Sequence, residues 1–347
     1  MKQWNPLSGR LVLTALVTPF KEDGSINWQG LRKNLEFQMR FPSVDGVVPV
    51  GTTGESPTLA PEEHILVISQ ITHWTEEAGL FVLAGCGSNS TEEAFQYTQV
   101  AAEIGCDGAL LVDCYYNGPS SLELREEYYR PIAEAFPELT IVPYIIPGRT
   151  GCALLPEDLA LLAKKYPNIS AVKEATGDLE RMRKTRELVP ERFQIYSGDD
   201  DKTFAMMEDP QIRATGVISV ISNIAPQAVQ RMCEAFSEGE IEEARQIQQA
   251  LEPLFKLVTV TIGQNKFRNP LPIKTMMAGL GIPAGPCRRP LGKMVPEGVE
   301  RVRVTLRKIW ENKETRWVLE PIEAFYGVNI SARLADDKIW AELSWKG

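Results

Sequence analysis

Lys173 closes a short apolar run, Ile169-Ser170-Ala171-Val172, and Glu174 follows it. A primary amine in that setting has two uses. Paired with the neighbouring carboxylate it finishes a strand; stripped of water against an apolar wall it loses its proton and becomes a nucleophile for a carbonyl. The second use requires the ammonium pKa to fall from about 10.4 to near neutrality, at a cost of roughly 4 kcal/mol, and burial is the usual means. Other groups suited to a carbonyl substrate stand elsewhere in the chain. In Gly51-Thr52-Thr53-Gly54-Glu55-Ser56 two hydroxyls lie between two glycines, which makes either a tight turn or a set of N–H and O–H donors for a carboxylate. Tyr144-Ile145-Ile146-Pro147-Gly148-Arg149-Thr150-Gly151 brings a phenol and a guanidinium close in sequence. They are either site residues or a core tyrosine with a surface arginine.

Metal or dinucleotide chemistry would draw on different residues. The two histidines, His64 and His73, fall on one helical segment and cannot make a three-ligand zinc site between them. Asp199, Asp200 and Asp201 could hold a magnesium ion, but capping the helix that begins near Lys202 is the simpler use. Gly85-Cys86-Gly87 lacks the third glycine of a dinucleotide fingerprint.

What must position Lys173 is a strand, and the chain holds eight segments of that kind. They are LVLTALVTPF from Leu11, GVVPVG from Gly46, FVLAGCG from Phe81, GALLVDCYY from Gly108, TIVPYIIP from Thr140, ISAVKEAT from Ile169, FQIYSGDD from Phe193 and GVISVISN from Gly216. Each is short, rich in Val and Ile, and ended by Gly, Pro or Asn, as strands buried on both faces are. Helix-period segments separate them, one opening on Pro61 and another with the Ser90 to Glu93 capping-box spacing. Eight βα units predict an α/β fold, a closed (β/α)8 TIM barrel over residues 1–238, with chemistry at the C-terminal ends of its strands. No further strand is expected after Pro226. Residues 239–312 read as a helical C-terminal domain, and residues 313–347 as an extension whose aromatic and β-branched content suits short strands or a packed tail.

Composition narrows the partners. With 37 Lys and Arg against 46 Asp and Glu, the net charge of -9 predicts no nucleic-acid or acidic-membrane partner. The six cysteines include no CxxC pair, which suits reduced thiols in a cytoplasmic protein. An apolar leader and a membrane-length apolar run are both missing from the sequence, so neither secretion nor membrane insertion is expected.

Taken in order, GTTGES, Tyr115-Tyr116-Asn117, YIIPGRTG, VKEATGDLER, YSGDD and GVISVISN resemble the dihydrodipicolinate synthase family of pyruvate-dependent class I aldolases, and NPLPIK from Asn269 extends the likeness, which covers residues 10–312. The resemblance implies condensation of pyruvate with aspartate semialdehyde, without a cofactor or metal, in a homodimer or homotetramer. Lys173 would form the imine. Tyr144 would shuttle protons through Thr52 to Tyr116 of a neighbouring subunit, Thr53 and the main chain near Ile218 would hold the pyruvate carboxylate, and Arg149 would take the semialdehyde carboxylate. Glu93, Asn89, His64 and Tyr115 match positions that line an L-lysine inhibitor site. Two positions depart from the family pattern: Ile145 replaces the usual Asn, and Cys114 the usual Pro. A sialic-acid or 2-keto-3-deoxy sugar-acid aldolase, and a pyruvate-binding barrel without catalysis, are the alternatives. Arg149 argues against the first, because polyol substrates bring no second small carboxylate; the presence of Lys173, Tyr144 and Thr52 together argues against the second.

Overall fold

The computed structural model describes residues 7–40 and 44–345. All eight apolar runs form strands: β1 (Val12–Ala15), β2 (Gly46–Val48), β3 (Phe81–Gly85), β4 (Gly108–Val112), β5 (Thr140–Ile145), β6 (Ala171–Glu174), β7 (Gln194–Ser197) and β8 (Gly216–Ser219). They follow one another in chain order and close into a barrel. Only Val112 and Gln194 among their residues are less than fully buried, which is why the runs read as continuously apolar instead of alternating. Parallel pairing sets Val112 opposite Tyr144, Tyr144 opposite Lys173, and Lys173 opposite Tyr196. The ends of β4 to β7 are thereby aligned.

Helices begin where the sequence supplies a cap or a proline. Asn27 accepts from Gly30 N ahead of α1 (Trp28–Met39), and Pro61 opens α2 (Pro61–Thr75). Ser90 accepts from Glu93 N at the head of α3 (Thr91–Ile104). The reciprocal half of that expected capping box is not made: the Ser90 N–H turns to the Ser88 hydroxyl, and the Glu93 carboxylate accepts from the same hydroxyl. Next come α4 (Ser121–Glu123), a π-helical turn over Leu124–Tyr129, α5 (Arg130–Ala135), α6 (Pro147–Thr150), α7 (Pro156–Lys165), α8 (Leu179–Leu188) and α9 (Thr203–Glu208). The later helices are α10 (Pro226–Ser237), α11 (Ile241–Phe255), α12 (Leu271–Leu280), α13 (Pro296–Glu311), α14 (Glu320–Tyr326), α15 (Ile330–Ala335) and α16 (Asp337–Glu342). Among the described residues no helix is long and apolar enough to cross a membrane.

Two expectations are corrected here. Strands do recur after Pro226: β9 (Thr259–Ile262) pairs antiparallel with β10 (Asn265–Arg268) across Gly263, whose φ is +57°. This hairpin is half exposed and partly polar, so a search for apolar runs misses it. Of the two readings of the extension the packed tail holds and the short strands do not: its described residues form helices, because Asn329 and Asp336 cap α15 and α16 and left-handed Gly327 ends α14. Capping chemistry outweighs the β propensity of its aromatic residues.

The chain forms two compact units. One comprises residues through Leu13, Asp45–Gly51 and Pro61–Ile218; the other comprises Thr14–Val44, Thr52–Ala60 and everything from Ser219 onward. Within the second, the extension is packed in. Trp340 lies over Gly279, where a side chain would strike its ring, and Arg333 donates to the carbonyls of Ala278 and Gly279 at the end of α12. Phe325 and Tyr326 pack on Phe37 at 5.2 Å between ring centroids.

Candidate active site

Lys173 is 5% exposed, and its Nζ lies 4.3 Å from the centroid of the Tyr144 ring on the adjacent strand. Burial lowers its pKa to about 8; the Arg149 charge lowers it further, and Asp199 and Asp200 oppose the fall. At about pH 7.4 roughly a fifth of such amines are neutral, against about one in a thousand for an unperturbed lysine. Space for the side chain comes from Gly198: a Cβ there would sit 2.6 Å from Ala175 Cβ and 3.2 Å from Lys173 Cε. Lys173 is not paired with Glu174, since successive strand residues face opposite ways. Glu174 is fully buried with Arg181 Nε 3.5 Å away. The helix-capping reading of Asp199 is also corrected. It occupies the N-cap position before Asp200–Lys202 without a side-chain cap bond, and its carboxyl, raised by burial, is held down by the Lys173 charge.

Tyr144 is 6% exposed near the end of β5, and Arg149 is exposed on α6, which follows directly. Tyr116 lies beyond the end of β4 and not on it; it is left-handed at φ 78°, 92% exposed, and its N–H donates to Thr150 O at 3.3 Å. Ile218 is buried in β8. These residues belong to the first unit, whereas Thr52 and Thr53 belong to the second. There the Thr53 hydroxyl accepts from Asn269 Nδ2 at 3.0 Å. Glu55, left-handed at φ 59°, takes Lys274 Nζ on one oxygen at 2.6 Å and Arg288 N on the other at 2.8 Å. The GTTGES turn is thus tied to the NPLPIK segment by a buried ion pair, a link the sequence alone did not suggest.

In the first unit Asn89, Glu93 and Tyr115 gather around Ser88, and His64 lies near enough to Glu93 to feel its charge. The His64 Nε2 donates to Gly85 O at 2.7 Å, its ring stacks on Tyr97 at 4.0 Å, and burial lowers its pKa to about 4, which keeps it neutral. Glu93 accepts from the Ser88 hydroxyl, and Asn89 Oδ1 is 3.3 Å from the same atom. Tyr115 is half-buried beside them, its phenol pKa raised first by burial, with Glu93 adding to the rise. Among the described residues no group of three or more His, Cys, Asp or Glu side chains is arranged to hold a metal ion.

The chain is 41% identical over 301 residues, 86% of its length and 97% of the relative's, to a 4-hydroxy-tetrahydrodipicolinate synthase of Methanothrix thermoacetophila. It superposes with a TM-score of 0.79 at 36% identity on the dihydrodipicolinate synthase of Cyanidioschyzon merolae solved with lysine bound, covering 86% of this chain and 97% of that one. With the chloride-inhibited dihydrodipicolinate synthase of Acinetobacter baumannii complexed with pyruvate, the TM-score is 0.78 at 34% identity, over 86% and 98%. Residues 8–309 match the dihydrodipicolinate synthetase family, and the chain belongs to that family.

Proposed function

We propose that the protein is a 4-hydroxy-tetrahydrodipicolinate synthase, a lyase that condenses pyruvate with L-aspartate 4-semialdehyde through a Schiff base on Lys173. One observation carries the chemistry: a buried amine, its pKa lowered to about 8, set against the Tyr144 ring at the end of adjacent parallel strands. The neutral amine adds to the pyruvate carbonyl and water departs, leaving an imine. Loss of a methyl proton gives the enamine, whose carbon attacks the aldehyde. The semialdehyde amino group then closes the ring on the former carbonyl carbon and releases Lys173 as a free amine. Each stage moves a proton, and Tyr144, Thr52 and the Tyr116 of a second copy form the relay. Thr53 and the main chain at Ile218 hold the pyruvate carboxylate, and Arg149 pairs with that of the semialdehyde. The assembly is a homodimer or homotetramer, in keeping with the 92% exposure of Tyr116. L-Lysine is the proposed inhibitor, bound by Glu93, Asn89, His64 and Tyr115.

Borohydride reduction in the presence of pyruvate should fix the adduct on the peptide containing VKEATGDLER, and turnover of the semialdehyde should exceed cleavage of sugar acids run beside it. An active enzyme with unmodified Lys173 would refute the mechanism, and cleavage of sugar acids alone would refute the substrate. Co-assembled Tyr116→Phe and Lys173→Ala chains should regain activity that neither has alone; failure to do so would place Tyr116 in its own subunit's site.

A further inference from the structure

Asp113 directly follows β4 and is completely buried. One carboxylate oxygen accepts from the Tyr129 hydroxyl at 2.5 Å, the other from the Leu154 N–H at 3.1 Å. The Leu154 carbonyl accepts from the Arg181 guanidinium, whose Nε lies 3.5 Å from Glu174, the residue after Lys173. Both backbone groups of Leu154 are therefore gripped by charged side chains. Leu154 ends the segment that starts with Arg149, and two further bonds tie this segment to the end of β4. Cys152 Sγ donates to Cys114 O at 2.8 Å, and Tyr116 N donates to Thr150 O. A charged clamp of this kind is costly to bury and is strong only while its charges are present.

We propose that Asp113 is a positioning residue for the condensation: with Arg181 and Glu174 it holds Leu154, and so sets where the Arg149 turn stands relative to Lys173. The proposal rests on the function assigned above. It also makes the hold depend on pH. Burial raises the Asp113 carboxyl to about 7, against the Tyr129 and Leu154 hydrogen bonds and the Arg181 charge, with Glu174 adding to the rise. The phenols and thiols facing it stay neutral near that pH. The Tyr128 and Tyr129 phenols of the Leu124–Tyr129 turn are pushed far up by burial, and the thiols of Cys114 and Cys152 are also raised. Glu174, itself raised by burial, shares Arg181 with Asp113, so two carboxylates face one guanidinium. Above about pH 7 the carboxylate grips Leu154 through a charge-assisted bond; below it the protonated group holds more weakly.

The test is the pH profile of each KM for the full-length enzyme. In the native protein the KM for aspartate semialdehyde should rise several-fold from about pH 8 to about pH 6; pyruvate KM and borohydride trapping follow the Lys173 amine instead and should change alike in the native enzyme and in Asp113→Asn. Asp113→Asn should raise the semialdehyde KM about tenfold and flatten its pH dependence. Tyr129→Phe removes a bond that favours the carboxylate, so it should move the inflection to higher pH, and this variant decides the matter if Asp113→Asn does not fold. A native semialdehyde KM without an inflection, an Asp113→Asn profile equal to the native one, or an unmoved inflection in Tyr129→Phe would overturn the proposal. Absence of any pyruvate adduct in the native enzyme would instead overturn the assigned function.

Discussion

Lys173 is kept where its charge is disfavoured, and that has a thermodynamic consequence. Its folded pKa is about 8, below the ordinary 10.5. Between those values the unfolded chain binds more protons, so this residue makes stability rise with pH there, and below about 8 the full cost of burying the ammonium is present. Lys173→Met should therefore abolish the pyruvate adduct yet stabilise the protein at about pH 7, by up to roughly 3 kcal/mol, with the gain fading toward about pH 10.5. Urea unfolding across that range would measure it; a gain independent of pH would mean that packing, not charge, is responsible. Gly198 serves the same residue, since a side chain there would meet Ala175 and crowd the lysine stem.

At the scale of elements, the heads of α2 and α3 and the segment after β4 bring His64, Glu93 and Tyr115 together, Ser88 bonding to the last two and Glu93 acting on His64 through its charge. The Glu93 carboxylate is not used up in a capping box, because Ser88 and not Ser90 donates to it. It is the proposed anionic partner of the L-lysine amino group. Tyr115 adjoins Tyr116, so a ligand that grips the first can displace the second. Millimolar L-lysine should lower initial rates of the native enzyme, and Glu93→Thr should weaken the inhibition by about 5- to 150-fold, the range of typical couplings. Equal inhibition of the variant would remove Glu93 from the site. Elsewhere, the buried Glu55–Lys274 pair ties the GTTGES turn to α12.

For the molecule as a whole, the extension beyond Asn312 lies outside the 8–309 family match yet is built into the second unit. Trp340 covers Gly279, Arg333 satisfies two carbonyls at the end of α12, and the Tyr326 hydroxyl donates to the buried Asn34. Truncation after Asn312 would strip these partners and expose aromatic surface. Thermal unfolding should fall by about 5 °C or more, since about 1 kcal/mol moves Tm by a few degrees in a domain of this size. An unchanged Tm would show that these contacts contribute nothing net.

The eight strands and the place of Lys173, Tyr144 and Arg149 were legible in the sequence, because strands buried on both faces leave short apolar runs and a barrel puts its chemistry at their ends. The hairpin and the helical extension were not legible, since a half-exposed strand carries no apolar run and capping can outweigh composition. Tertiary structure alone decided the rest. Nothing local to Asp113 says that it meets Leu154, that Arg181 takes Glu174 away from Lys173, or that Gly198 opens room for the lysine stem. Those contacts join residues far apart in the chain, and they exist only once the strands are aligned. A pKa is likewise set by what burial removes and which charges remain near, so the sequence could name the amine but only the fold could lower its affinity for the proton.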